Sequence, residues 1–93
     1  MNRVHVIVHG RVQGVGFRLF AVQEATRRGL AGWVRNKGEE EVEIVAEGSK
    51  EQLQDFLSVL RQGPALAWVQ SWEVQWQPAT GEFRAFSARA STW

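Results

Sequence analysis

The sequence predicts an α+β fold, an α/β sandwich in which two helices cover one face of an antiparallel sheet. Segments at residues 3–9, 41–47 and 72–76 alternate apolar and polar side chains with the period of two that half-buried strands show. Segments at 17–28 and 50–62 instead repeat apolar residues every three to four positions, as amphipathic helices do. The predicted order is strand, helix, strand, strand, helix, strand, followed by a short terminal strand.

Length and composition indicate one small globular domain that covers residues 1–93. The absence of cysteine excludes a disulfide-stapled mini-domain and is typical of a reducing cytoplasm, where we expect the protein to act. A formal net charge of +1 gives little support to nucleic-acid binding, which needs a pronounced basic face. No apolar run reaches the length of a signal peptide or a membrane span, so we expect no membrane partner.

The first strand and the first helix are separated by a glycine-rich turn. Residues 3–9 form the strand, and the helix runs from Phe17 to about Arg28, with Gly29 as the residue that ends it. Cations in the last helical turn favour this end, because they meet the negative pole of the helix dipole. The predicted core residues of these two elements are Val4, Val6, Val8, Phe17, Ala21 and Ala25.

A β-hairpin is predicted next, with strands at 30–36 and 41–47 joined by a turn at 37–40. Val42, Ile44 and Ala46 share the core face of its second strand. The opposite face, with Glu43 and Val45, would be open to solvent.

The second helix has clear start and stop signals. Ser49 and Gln52 have the spacing of a capping box, and Gly63-Pro64 ends the helix. Its apolar stripe consists of Leu53, Phe56, Leu57 and Leu60.

After a fourth strand and a turn at 78–81, we expect the short last strand at 83–86. The complete order, βαββαβ plus this strand, is that of the ferredoxin-like arrangement.

The segment Gly10-Arg11-Val12-Gln13-Gly14-Val15-Gly16-Phe17-Arg18 is the most informative part of the chain. Between a strand and a helix, its backbone N–H groups can converge near the helix N-terminus and bind an anion. Arg18 can add a planar set of donors that matches phosphate oxygens. A Walker A loop and a Rossmann fingerprint are both excluded, since the turn ends in Gly-Phe-Arg and Leu19 stands where the third glycine belongs. The residues alone also allow a second interpretation, in which the turn binds nothing and needs glycine only because its backbone is strained.

Asn36 is the second candidate, because it closes the second predicted strand beside the first helix. Its amide can donate to one partner and accept from another, which suits holding a water molecule. The residues alone favour the simpler interpretation that Asn-Lys-Gly is a turn sequence.

Other chemistry-bearing residues have simpler structural explanations. His5 and His9 would lie about 13 Å apart on one strand and cannot chelate one ion together, so we expect exposed histidines on a sheet face. Glu39-Glu40-Glu41 indicates a solvated acidic turn, and core packing explains Trp72 and Trp76. No Ser-His-Asp or Cys-His set is visible, and no Ser or Thr in the turn could receive a phosphoryl group.

Two segments together resemble the acylphosphatase family. Gly10 to Arg18 resembles its first signature, and Gly32-Trp33-Val34-Arg35-Asn36 resembles its second. The similarity extends over nearly the whole chain. Two positions depart from the family pattern: Glu40 replaces a common glycine in the hairpin, and Ala85 replaces a larger aliphatic residue near the end.

This resemblance implies hydrolysis of acyl phosphates to a carboxylate and inorganic phosphate, in a monomer without a metal or organic cofactor. It implies that Arg18 binds the substrate's phosphate and that Asn36 orients the attacking water. The phosphate-binding loop would comprise Gln13, Gly14, Val15, Gly16, Phe17 and Arg18.

Two other functions are compatible with such a scaffold. An RNA-binding module would need paired aromatic residues on the open sheet face. The first and third strands place His5, Ile7, Glu43 and Val45 there, which include no aromatic pair of this kind, so the sequence gives RNA binding little support. Acylphosphatase-like domains also occur in hydrogenase-maturation proteins that transfer carbamoyl groups. A length of 93 residues favours the free enzyme.

Overall fold

The computed structural model describes all residues from Met1 to Trp93. Its elements run in the order β1 (Asn2–Arg11), α1 (Phe17–Arg27), β2 (Ala31–Lys37), β3 (Glu41–Gly48), α2 (Lys50–Gln62), β4 (Trp68–Pro78) and β5 (Phe86–Ala88). The five strands form one sheet in the order β4-β1-β3-β2-β5. The predicted βαββαβ architecture with a short terminal strand is therefore confirmed.

The core lies between the two helices and one face of the sheet. Alternate residues of β1 and β3 are fully buried there, as the period-two pattern predicts. Phe56 of α2 packs edge-on against Phe86 of β5, with ring centroids 5.9 Å apart. The fully buried side chains of this core include Val4, Val6, Val8, Phe17, Ile44, Leu53, Phe56 and Leu60.

Local signals placed both helices correctly. Ser49 accepts a hydrogen bond from the Gln52 amide, and the Gln52 side chain accepts one from the Ser49 amide, which completes the capping box. Gly29 follows α1 with a φ of 70°, a conformation that favours glycine after a helix. Neither helix has the length and apolar character needed to cross a membrane.

The last strand differs from the prediction at 83–86. It lies at Phe86–Ala88 and pairs in parallel with β2, while the four longer strands are antiparallel to their neighbours. Because β4 and β5 occupy opposite edges, residues 79–85 must cross a sheet face before β5 begins. Phe83 belongs to this crossing segment, where the Arg3 guanidinium lies 5.3 Å from its ring centroid.

The crossing segment also explains why the second sheet face is not open. Glu47 accepts hydrogen bonds from the amides of Thr80 and Gly81 and from Arg3, and only 5% of the residue is exposed. Glu43 on the same face is also buried. The expectation of a solvent-open face was therefore wrong for the central strand β3.

The tryptophans of β4 divide in a way that the alternation did not predict. Trp72 packs against the core, but Trp76 is 44% exposed, so core packing does not account for it. Both lie on the same edge strand, but Trp76 borders an open depression whose other lining residues, Asn2, Lys50 and Gln54, are polar and leave part of its ring in solvent.

Candidate active site

The glycine-rich turn links the end of β1 to the first residue of α1. Gly14 and Gly16 adopt φ values of 73° and 80°, in the left-handed region that glycine enters without strain. The amide N–H groups of residues 13–19 donate to no other group of the protein; the next amide, that of Phe20, donates to the Gly16 carbonyl at 3.0 Å. The turn therefore presents unpaired donors at the positive end of a helix.

A pocket of about 190 Å³ lies at this helix end. It brings together Arg18 and Asn36, two residues that the sequence singled out from different signatures. Val12 and Leu19 also border it, although no sequence signal marked either side chain as a site residue. The complete lining is Val12, Gly14, Gly16, Phe17, Arg18, Leu19 and Asn36.

Arg18 and Asn36 reach the pocket from different elements. Arg18 is the second residue of α1, half-buried, and its guanidinium forms no ion pair or hydrogen bond within the protein. Asn36 lies near the end of β2, two residues after the fully buried Val34 and hence on the helix-covered face. The Asn36 side chain also has no hydrogen-bond partner in the chain. Both groups are free to contact a ligand.

The charge of the lining favours an anion. Arg18 is its one charged residue, and no carboxylate borders the pocket. Two larger depressions differ in this respect. One of about 380 Å³ includes Glu39 and Glu40 beside a single cation, Arg11, and one of about 550 Å³ includes three glutamates beside Lys37. Carboxylates would repel a phosphate in either of these depressions, so size alone does not identify the anion site.

Gln13 and Val15 do not border the pocket, in contrast to the other predicted loop residues. The Gln13 side chain points instead to the β2–β3 turn, where its Nε2 donates to the carbonyls of Gly38 and Glu41 at 3.0 and 2.9 Å. This leaves only the backbone amide of Gln13 to serve as an anion donor.

The histidines lie away from the pocket, on the other sheet face. His5 Nε2 is 2.7 Å from Glu43, which also accepts a hydrogen bond from Arg35 at 2.8 Å, so His5 is not the exposed residue expected. Burial raises the pKa of Glu43, but the hydrogen bonds from His5 and Arg35 lower it by more, and the net pKa is below its ordinary value. No three His, Asp or Glu side chains are grouped closely enough to hold a metal ion.

The C-terminal segment supports Asn36 from outside the sheet, a role that no sequence signal indicated. The Thr92 amide donates to the Asn36 carbonyl at 2.9 Å, and the Thr92 carbonyl accepts from Gly38 at 2.7 Å. These are backbone contacts, which any residue type could make.

Comparison with known proteins points to one family. The acylphosphatase family model matches residues 4–88. An acylphosphatase from Methylococcus capsulatus is 48% identical over 87 residues, which cover 94% of this chain and 95% of that protein. The crystal structure of acylphosphatase from Bacillus subtilis has a TM-score of 0.92 at 40% identity and covers 96% of this chain and 99% of its own.

A match to full-length HypF, with a TM-score of 0.87 and 26% identity, covers 99% of this chain but 12% of that one. The fold is thus found both in chains of this size and as a small part of a longer protein. The family model and the full-length relatives together show that this chain belongs to the acylphosphatase family.

Proposed function

We propose that this chain hydrolyses acyl phosphates to a carboxylate and inorganic phosphate in the pocket between the glycine-rich turn and β2. The observation that carries the proposal is the pairing, in one carboxylate-free pocket, of the unpartnered Arg18 and the unpartnered Asn36. The Arg18 guanidinium suits a phosphate group, and the Asn36 amide suits a water molecule.

The phosphate would be held by one continuous segment of chain. The unpartnered amides of residues 13–18 would donate hydrogen bonds to its oxygens, and Arg18 would add a charged, bidentate contact. These groups also stabilise the charge that develops on the phosphoryl oxygens during transfer. Their fixed positions favour the transition state, because no donor has to reorganise when the reaction occurs.

Asn36 would orient the attacking water. The water oxygen forms a bond to phosphorus while the bond between phosphorus and the acyl oxygen breaks, and the carboxylate leaves with that electron pair. The lining offers no carboxylate or imidazole as a base, so the water proton passes to a phosphate oxygen of the substrate. An acyl phosphate already has a good leaving group, and positioning supplies most of what the reaction still needs.

We also propose that the enzyme acts as a monomer, without a metal ion, in the cytoplasm. The pocket is complete within one chain, Arg18 supplies the positive charge that a metal would otherwise bring, and the chain has no cysteine.

Hydrolysis of benzoyl phosphate in ¹⁸O-labelled water, with a chelator present, tests this reaction. We expect turnover to persist in the chelator and the label to appear in inorganic phosphate, because water attacks phosphorus. The uncatalysed reaction in the same buffer supplies the background. Label in the benzoate, or loss of turnover that added metal restores, would show a different reaction.

A further inference from the structure

We propose that the Gln13 side chain is a positioning residue that holds the phosphate-binding turn at a fixed distance from Asn36. The proposal rests on the proposed function and assigns the Gln13 side chain, as distinct from its backbone amide, a part that does not involve contact with substrate. It follows from where the side chain points: toward the β2–β3 turn and away from the pocket lining.

The contacts of Gln13 use its whole donor capacity. A side-chain amide has two N–H donors, and Nε2 lies 3.0 Å from the Gly38 carbonyl and 2.9 Å from the Glu41 carbonyl. The Lys37 carbonyl lies slightly farther away, at 3.4 Å. One side chain from the turn after β1 therefore ties together the two ends of the β2–β3 turn.

That turn begins at Gly38, two residues after Asn36, so its position influences where the Asn36 side chain lies. The turn is held on its other side by the C-terminal segment, through the hydrogen bond of 2.7 Å from Gly38 to Thr92. The Gly10 amide adds a contact of 3.1 Å to the Glu40 carbonyl. Gln13 is the one side chain among these contacts, and hence the link that a substitution can remove.

The two halves of the site come from separate segments, which predicts a specific kinetic effect. The free amides and Arg18 belong to the turn and α1, so phosphate affinity should persist when the link is cut. Asn36 belongs to β2, and its alignment with the bound phosphate should be lost. A displacement of about 1 Å between reacting groups can reduce turnover on the order of a hundredfold.

The test replaces Gln13 with alanine and, separately, with methionine, which retains most of the volume but has no N–H donor. For both variants we expect kcat on benzoyl phosphate to fall about ten- to a hundredfold, while the inhibition constant of inorganic phosphate stays near the wild-type value. Gln75→Ala is the matched control, since Gln75 is exposed on β4 and forms no side-chain hydrogen bond. It should leave both constants unchanged.

A double variant separates positioning from a general structural effect. In an Asn36→Ala background the aligned group is already missing, so adding Gln13→Ala should reduce kcat by much less than it does in the wild type. Equal losses in both backgrounds would overturn the proposal. So would a weakened phosphate affinity, which would make Gln13 a ligand, or a wild-type kcat in Gln13→Met, which would show that volume alone matters.

An NMR titration with inorganic phosphate gives a readout that does not depend on turnover. In the wild type, phosphate should shift the backbone amides of the turn and the side-chain amide of Asn36. In Gln13→Met the turn should still respond while the Asn36 response is lost, and an unchanged Asn36 response would contradict the positioning role. A wild type that binds phosphate in this way but does not hydrolyse benzoyl phosphate would count against the proposed function alone.

Discussion

Gly16 illustrates at the scale of a single residue how backbone geometry prepares the site. It is the N-cap of α1, with φ 80° and ψ 18°, and no side chain caps the helix there. A Cβ added at Gly16 would meet no atom within 4 Å, so space does not explain the glycine. The left-handed conformation does, and the amides of residues 17–19, which follow it, have no hydrogen-bond partner in the protein.

Replacement of Gly16 with alanine should therefore destabilise the protein by about 1–2 kcal/mol, the cost of a left-handed conformation for an L-residue. Gly16→Asn should cost less, because asparagine tolerates this region better than alanine. Urea denaturation of the wild type and both variants measures the free energies of unfolding. Equal stability of the alanine variant and the wild type would show that the left-handed conformation is not maintained.

The position of the two candidate site residues could be predicted from the sequence, whereas their chemical roles stay predictions. Arg18 and Asn36 can be selected because each belongs to a segment that resembles a family signature, and the structure places both at one pocket. The orientation of Gln13 could not be predicted. Its partners are backbone carbonyls 24 to 28 residues away. Because every residue type has a backbone carbonyl, the sequence does not show which ones accept these hydrogen bonds.

At the scale of elements, the segment from 79 to 85 shows what strand and helix patterns miss. Phe83 and Ala85 resemble strand residues, yet the segment crosses the sheet face and β5 begins at Phe86. Glu47 holds it by accepting from Thr80, Gly81 and Arg3. A glutamate in an alternating strand predicts that its side of the sheet faces solvent. Glu47 is buried instead, because the crossing segment covers that side.

The same contacts predict how stability depends on pH. Burial raises the pKa of Glu47, but hydrogen bonds from Thr80, Arg3 and Gly81 lower it by more, to a net value below the ordinary 4.5. A carboxylate with a lowered pKa in the folded state stabilises the protein above its ordinary pKa. That contribution disappears as the pH falls through the folded value.

We therefore expect Glu47→Gln to reduce stability at neutral pH by roughly 1–3 kcal/mol, through loss of charge-assisted hydrogen bonds. Below the ordinary carboxyl range the difference from wild type should narrow, because the wild type then loses the same charge. Urea denaturation across this range, with Glu39→Gln in the exposed hairpin turn as the control, provides the measurement. A difference that stays constant with pH would exclude a role for the Glu47 charge.

At the scale of the whole molecule, the sheet topology explains why the two signatures meet. β1 and β2 are both antiparallel to β3, which lies between them, so they run in the same direction. Their C-terminal ends therefore lie at the same end of the sheet. The glycine-rich turn follows one of them, and Asn36 lies near the other. The element order predicts this arrangement, but the parallel pairing of β5 and the contacts of Thr92 depend on connections without a local pattern.

In the proposed reaction the turn and Arg18 bind the phosphate, and Asn36 orients the attacking water. The most direct test of this separation of roles measures kcat and the inhibition constant of inorganic phosphate for Arg18→Ala and Asn36→Ala on benzoyl phosphate. Arg27→Ala and Asn2→Ala are the matched controls outside the pocket. Arg18→Ala should raise the inhibition constant of inorganic phosphate about ten- to a hundredfold, as loss of a charged hydrogen-bond donor does. Asn36→Ala should lower kcat about a hundredfold with phosphate affinity retained. An Asn36→Ala variant that keeps full turnover, or loses phosphate affinity as Arg18→Ala does, would contradict the account.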